Sequence, residues 1–417
     1  MRKYLYLLII LLLIMPHIVF GGEIRENTMK AAFIRDGQLW IKIDGHEQII
    51  TKDQTVYRQS PKWSPDGKWI VYQKEVKSKN NVTENPQLEI WVYSLETKEH
   101  KKIVDDGMNP KWSPTENLIA FQSNRILQIS NLNEVRTAAL GVDDYEWTPD
   151  GNGFIASSSA TVRPDGWTNP IIYNVALNND FEKIDPSSNV KQLFVIPKEL
   201  SNGKATIISI NATDFAFSPN QKWLSFIVSP TASWSMDSDM VCVLSLDGKD
   251  FSVLDETILH IDVPKWAPNK NLLGYIAGGG RIVAGFKNKK LIITELPVYN
   301  SIKLTPDKFA DMWFTWIDNQ TIVASRVPES EWSNDQKLRP EPSLYSININ
   351  ELKQEKITSP EIGIGDYKPS FIPETNTIIW LRSTLTSTNG DLWISDKKGN
   401  NAKVWIKNVE EYSIYPK

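Results

Sequence analysis

"PKWSPDGKWIVYQ" occupies Pro61 to Gln73, and "PKWSPTENLIAFQ" occupies Pro110 to Gln122. A chain that spells nearly the same sentence twice is built from a repeated unit, and that unit decides the architecture. In the first copy, Ser64-Pro65-Asp66-Gly67 places Pro where a type I turn wants φ fixed and Gly where the chain needs a positive φ. The turn closes a hairpin between a short strand ending at Trp63 and "KWIVYQ", which is rich in β-branched and aromatic residues. "LEIWVYSL" from Leu88 reads as a third strand and "HKKIVDD" from His100 as a fourth. Four strands joined in order form a meander of about 40 to 50 residues, one blade of a propeller. A lone blade cannot bury both of its faces. Neighbouring blades bury them for one another, and broad aromatic rings suit such contacts, which accounts for 16 Trp in one chain.

The sentence recurs with decay as "YEWTPDGNGFIAS" from Tyr145, "FAFSPNQKWLSFI" from Phe215, "PKWAPNKNLLGYI" from Pro264, "FTWIDNQTIVAS" from Phe314 and "PSFIPETNTIIWL" from Pro369. Its anchor aromatics are Trp63, Trp112, Trp147, Phe217, Trp266, Trp316 and Phe371, at intervals of 35 to 70 residues. Loops of different length on a fixed unit produce such intervals. Ahead of the first anchor, residues 30 to 53 supply outer strands with no inner one, and "EEYSIYPK" from Glu410 supplies an inner strand with no outer set. The two ends are expected to share a blade, which removes exposed sheet edges. The expectation is an all-β propeller of eight four-stranded antiparallel blades over residues 30–417. Seven is the alternative, should Ser159 to Ile210 hold no regular blade. "PIIYNVAL" in that stretch reads as an extra strand or hairpin.

Met1-Arg2-Lys3 followed by "YLYLLIILLLIMPHIVF" and the small pair Gly21-Gly22 follows the three-part logic of a secretory signal, residues 1–21, with 22–29 as a linker. An uncleaved anchor is the alternative, and it is the one route to a membrane. The protein is therefore expected to be exported: extracellular, cell-wall associated or periplasmic. Removing residues 1–21 takes the formal charge from −4 to −6, which argues against nucleic acid as a partner. Cys242 is the single cysteine, so no intrachain disulfide forms, and it is expected to pack as a small core residue. A monomer is expected.

The stretches "WSPDGKWIVY", "WSPTENLIAF" and "LEIWVYSL" resemble the repeat of TolB-type β-propellers, which is also similar to the propeller part of prolyl-oligopeptidase-like peptidases. The resemblance covers nearly all of residues 30 to 417. It implies a propeller and, from the TolB side, an exported protein-binding component of the cell envelope. Many unrelated activities sit on propellers, so function has to be argued from the site.

No G-x-S-x-G elbow of a hydrolase occurs in the sequence. His46, His100 and His260 fall in different repeats, giving neither a paired metal motif nor a triad, and no cofactor or metal is expected. "GGGR" at Gly278 to Arg281 precedes a strand rather than a helix and reads as a hairpin turn. Carboxylates near the starts of the inner strands form a more informative set: Asp105, Asp106, Asp143, Asp144, Asp214, Asp262, Asp311, Asp366, Glu410 and Glu411. On a propeller they would gather as a partial ring at the channel mouth and draw cations or a basic segment. Capping of the turns that precede strands is the competing explanation. Trp167, Trp234 and Trp332 stand in long polar loops expected on the same face, with Arg163, Arg326, Arg339 and Arg382 in or beside such loops. Tryptophan suits a binding anchor, and arginine suits the carboxylates of a ligand. These residues point to a non-catalytic protein whose loop face binds a protein or peptide of the cell envelope. The alternative is an extracellular glycan hydrolase or lyase that uses channel-mouth carboxylates as acid and base.

Overall fold

Each copy of the repeated sentence builds the inner hairpin of one blade, and eight blades close the ring. The computed structural model describes residues 28–416 apart from 77–85, 178–180, 182–183, 187, 232–237, 259–260, 280–284 and 332. The expected signal, Trp234, His260, Arg281 and Trp332 lie outside the described residues.

Blade 1 joins the two ends of the chain: Met29–Arg35, Gln38–Ile43 and His46–Ile49 are completed on the inside by Glu411–Pro416. Met29 pairs with Pro416 and Ile34 with Glu411, so the C-terminal strand covers the inner edge that Met29–Arg35 would otherwise leave open. Blade 2 runs Lys62–Trp63, Trp69–Val76, Gln87–Ser94 and His100–Val104 from the axis outward. The inner strands of blades 3 to 8 are Met108–Trp112, Asp144–Trp147, Asn211–Phe217, Lys265–Trp266, Phe309–Trp316 and Gly365–Ile372. Every one of them carries its anchor aromatic at or next to its end.

The stretch that left the blade number open makes a regular blade. Blade 4 takes Asp144–Trp147, Gly153–Ser158, Ile171–Ala176 and Val190–Val195. "PIIYNVAL" is thus no extra hairpin: it is the third strand, where it covers the outer edge of Gly153–Ser158 and sends Ile172 and Val175 into the two flanking seams. What the stretch adds is a pair of two-stranded ribbons, Val162–Arg163 with Gly166–Trp167 and Glu199–Ser201 with Thr206–Ile208.

Nearly every letter of the repeated sentence has a job between blades. The anchor indoles donate backward: Trp112 Nε1 to Lys62 O at 2.9 Å, Trp147 Nε1 to Lys111 O at 3.1 Å, Trp266 Nε1 to Ala216 O at 3.1 Å and Trp316 Nε1 to Lys265 O at 2.9 Å. Each acceptor belongs to the residue just before the anchor of the preceding blade. The indole thus buries a large apolar surface and satisfies a carbonyl in one move. The lysine before the anchor reaches forward, Lys62 Nζ to Pro110 O at 3.0 Å and Lys265 Nζ to Phe314 O at 2.6 Å. The closing Gln donates to the entry of the next blade, Gln73 to Gly107 O and Gln122 to Val142 O at 3.0 Å. Ser157 and Ser325 occupy the same place in their blades and reach Ala212 O and Asp366 O. Between these polar staples lie dry seams such as Ile155, Phe215, Phe226 and Met240. Cys242 is one of that cluster, and burial pushes its thiol pKa well up, so it packs as core.

Candidate binding face and axial channel

Strand order fixes the two ends of the ring. Every inner strand starts on one face, and the connections from second to third strand and from one blade to the next open there; the tight turns such as Ser64–Gly67 lie on the opposite face. The first is the loop face. It carries both ribbons and the connections 329–342 and 384–389. Much of the exposed apolar surface is there as well: Met108, Leu140, Val162, Ile208, Leu338 and Ile362 are 44% to 100% accessible.

Below that face, bulges re-aim the inner strands. The register slips between Met108 and Lys111, Thr213 and Ala216, and Tyr367 and Ser370, and Asn109, Asp214 and Lys368 stand there with φ of 54°, 57° and 49°. A non-glycine residue in the left-handed region costs energy that the surroundings must offset. For two of the three, Asp144 does so: its Oδ2 accepts the Asp214 N–H at 3.1 Å and its Oδ1 the Asn109 amide at 3.4 Å. Asp262 has a matching role farther round the ring, accepting the Phe314 N–H at 2.9 Å and pairing with Lys265 at 2.8 Å. Burial raises the pKa of the Asp144 carboxyl, the charge of Lys111 opposes the shift and that of Asp214 adds to it.

The carboxylates expected as one ring divide into three groups. Asp144, Asp214 and Asp262 are half-buried among the inner strands as just described. Asp106 is exposed and accepts the Leu88 N–H. Asp311 and Asp366 are fully buried, each gripped by an arginine of the adjacent strand. Arg326 Nε and Nη2 meet the two oxygens of Asp311 at 2.6 and 2.8 Å; Arg382 Nε and Nη2 meet those of Asp366 at 2.7 and 3.0 Å. Arg326 and Arg382, expected to hold carboxylates of a ligand, therefore hold carboxylates of the protein. The reason is register: Asp311 is the cross-strand partner of Arg326, and Asp366 of Arg382. Trp167 is half-buried in the first ribbon beside exposed Val162 and Arg163, and no described contact links it to the aspartates.

Lys368 and Trp313, which the sequence reading passed over, line the channel together with Asp214, Asp262, Glu410 and Glu411, which it named. Three adjoining cavities of about 450, 400 and 450 Å³ open along it, and Lys368 borders all of them. Trp313 borders two and stands edge-on to Tyr367, ring centres 5.6 Å apart. Glu410 and Glu411 border two, each with one oxygen occupied, by the Gly37 N–H and by the Ser60 hydroxyl respectively. Tyr367 is 5% exposed, and its hydroxyl has no hydrogen-bond partner among the described residues. Among the described residues, no group of three or more His, Cys, Asp or Glu is placed to hold a metal ion, and no helix is long and apolar enough to cross a membrane.

No protein-family model and no curated protein sequence matches the chain. Solved structures do match. A puromycin-hydrolyzing peptidase of Mycobacterium tuberculosis aligns with a TM-score of 0.53 at 11% identity over 85% of this chain and 53% of its own. The dihydro-heme d1 dehydrogenase NirN, in complex with DHE, aligns with a TM-score of 0.57 at 13% identity over 95% of this chain and 76% of its own. TolB from Acinetobacter baumannii aligns with a TM-score of 0.36 at 20% identity over 66% of this chain and 63% of its own. The chain thus spans about half the length of the puromycin hydrolases it matches. At these identities the likeness is one of fold: an eight-bladed propeller, like those that other proteins join to quite different chemistries.

Proposed function

We propose that the protein is an exported, non-catalytic binding protein that receives a protein or peptide of the cell envelope on its loop face. The observation that carries this reading is that one face holds accessible apolar side chains in its loops, Leu140, Val162, Leu338 and Ile362 among them, together with cavities that have polar and aromatic walls. Apolar side chains left in water on a rigid scaffold's loops are suited to contact a partner. Trp167 with Arg163, and by the sequence reading Trp234 and Trp332, are residues of the type that dominates binding energy. Export rests on the signal-like residues 1–21. The test is capture of partners from the cell surface by the mature protein, against a variant with alanine at Trp167, Trp234 and Trp332 and aspartate at Leu338 and Ile362. Loss of a retained protein in the variant supports the reading, and identical retention sinks it.

A second reading, an enzyme acting on an extracellular glycan, is favoured by one observation: the half-buried Asp144 has a raised pKa and stands against Asp214. Two neighbouring carboxyls, one with its pKa raised by burial, are the pattern that acid–base cleavage of a glycosidic bond uses. Turnover of cell-wall or extracellular glycans that vanishes in Asp144→Asn would establish it; no turnover of any of them removes it.

A further inference from the structure

Four lysines rise from the inner strands toward the axis. Three are tied down: Lys62 to Pro110 O, Lys111 to Glu146 at 2.8 Å, and Lys265 to Asp262 and Phe314 O. Lys368 differs. It is exposed, sits on a left-handed bulge, and has no ion-pair or hydrogen-bond partner among the described residues. Lys368 lines all three cavities, and Trp313, Leu381, Glu410 and Glu411 each line two of them with it.

We infer that this junction is a binding site for the free carboxyl terminus of a peptide, with Lys368 taking the terminal carboxylate. The inference rests on the peptide-binding reading above and names the portion of the peptide that is read. Charge complementarity selects the ligand. Among the described residues Lys368 is the ammonium of these walls that has no carboxylate partner, Lys265 being paired with Asp262, yet Asp214, Glu410 and Glu411 stand on the same walls, so a dianionic phosphate is repelled more strongly than a single carboxylate followed by a cation. A peptide end supplies that sequence of groups. Its carboxylate meets Lys368 and its last side chain, if apolar, lies against Trp313 and Leu381. A basic residue just before it meets the unoccupied oxygens of Glu410 and Glu411.

The test uses the mature protein and two fluorescein-labelled peptides, Gly-Gly-Lys-Leu with a free carboxyl end and the same peptide amidated, read by fluorescence anisotropy. The free acid is expected to bind at least about tenfold more tightly than the amide, the worth of one charge-assisted contact. Lys368→Gln should erase that ratio and Lys368→Arg should keep it. Trp313→Ala should weaken the acid without restoring the amide. Equal binding of acid and amide, or binding of neither, overturns the inference. Because the surface variant at Trp167, Trp234 and Trp332 is scored separately, retention of an envelope partner with no preference for the free acid would leave the loop-face reading standing while this one falls.

Discussion

The Asp311–Arg326 pair offers a sharp test of how the ring is held. Both side chains are withdrawn from water, 2% exposed for the arginine and 0% for the aspartate. Around them the Thr305 hydroxyl donates to Asp311, Arg326 Nη1 donates to Gln354 Oε1, and Gln354 Nε2 donates to Leu304 O at 2.8 Å. Replacing Arg326 by Met would leave a buried carboxylate with one hydroxyl donor in place of a bidentate cation. Breaking such a pair from one side costs about 3 to 5 kcal/mol, a large share of a total stability of about 5 to 15 kcal/mol. Removing both charges, as Asp311→Leu with Arg326→Met, should cost far less, because no orphan remains and the Tyr345 ring, 5.2 Å from the guanidinium, offers an apolar surface for the new side chains. The assay is urea unfolding of the four proteins of the cycle, followed by tryptophan fluorescence. The single Arg326→Met variant should lie lowest, with a coupling of about 2 to 4 kcal/mol between the positions. A single variant within about 1 kcal/mol of wild type, or a double variant as unstable as the single, would refute the reasoning that the pair is a compensated buried charge.

Three further outcomes follow from named contacts. Burial pushes the Lys62 ammonium pKa down to about 8, with the charge of Lys111 acting the same way and Glu146 opposing. The unfolded chain then holds more protons than the folded one between pH 8 and the ordinary lysine value, so stability should rise with pH across that window. Lys62→Met should flatten the rise, as read from urea midpoints at about pH 7 and about pH 10. Trp112→Phe keeps the ring packing but strips the donor from Lys62 O, and should cost about 1 to 3 kcal/mol by the same unfolding assay. Gly67 stands at φ +64°, and a Cβ there would come within 2.5 Å of the Tyr415 ring. Gly67→Ala should therefore lower the melting temperature, and the Tyr415→Ala change made on top of it should cost less than Tyr415→Ala alone.

The architecture was legible because its signals are local. A tight turn between two short apolar runs, led by Pro in six of its seven copies, specifies a hairpin wherever it stands, and the leftover strands at both ends had one way to be satisfied. Even the final letter of the repeated sentence had a structural cause, though only the fold shows that Gln73 and Gln122 reach the next blade. The site was less legible. Asp311 and Arg326 look like two surface charges in the sequence, and counting outward from their shared hairpin turn would set Met312 opposite Arg326; the bulge between Asp311 and Trp313 is what brings the two charges together. Lys368 and Trp313 were missed for a deeper reason. Both stand at or beside bulges, where one extra residue slips the register and redirects a side chain, and no residue pattern announced the slip. Trp167 was seen, but its ribbon partner was not, because two-residue strands carry no period to read.

The zipper of blade 1 also fixes an orientation. Met29 and Pro416 are partners at the end of their strands that lies with the tight turns, so both ends of the described chain emerge on the side opposite the channel mouth. Whatever the N-terminal end is fastened to would stand behind the disc, like the stem behind a flower. The receptive surface would then look outward, free of its own attachment.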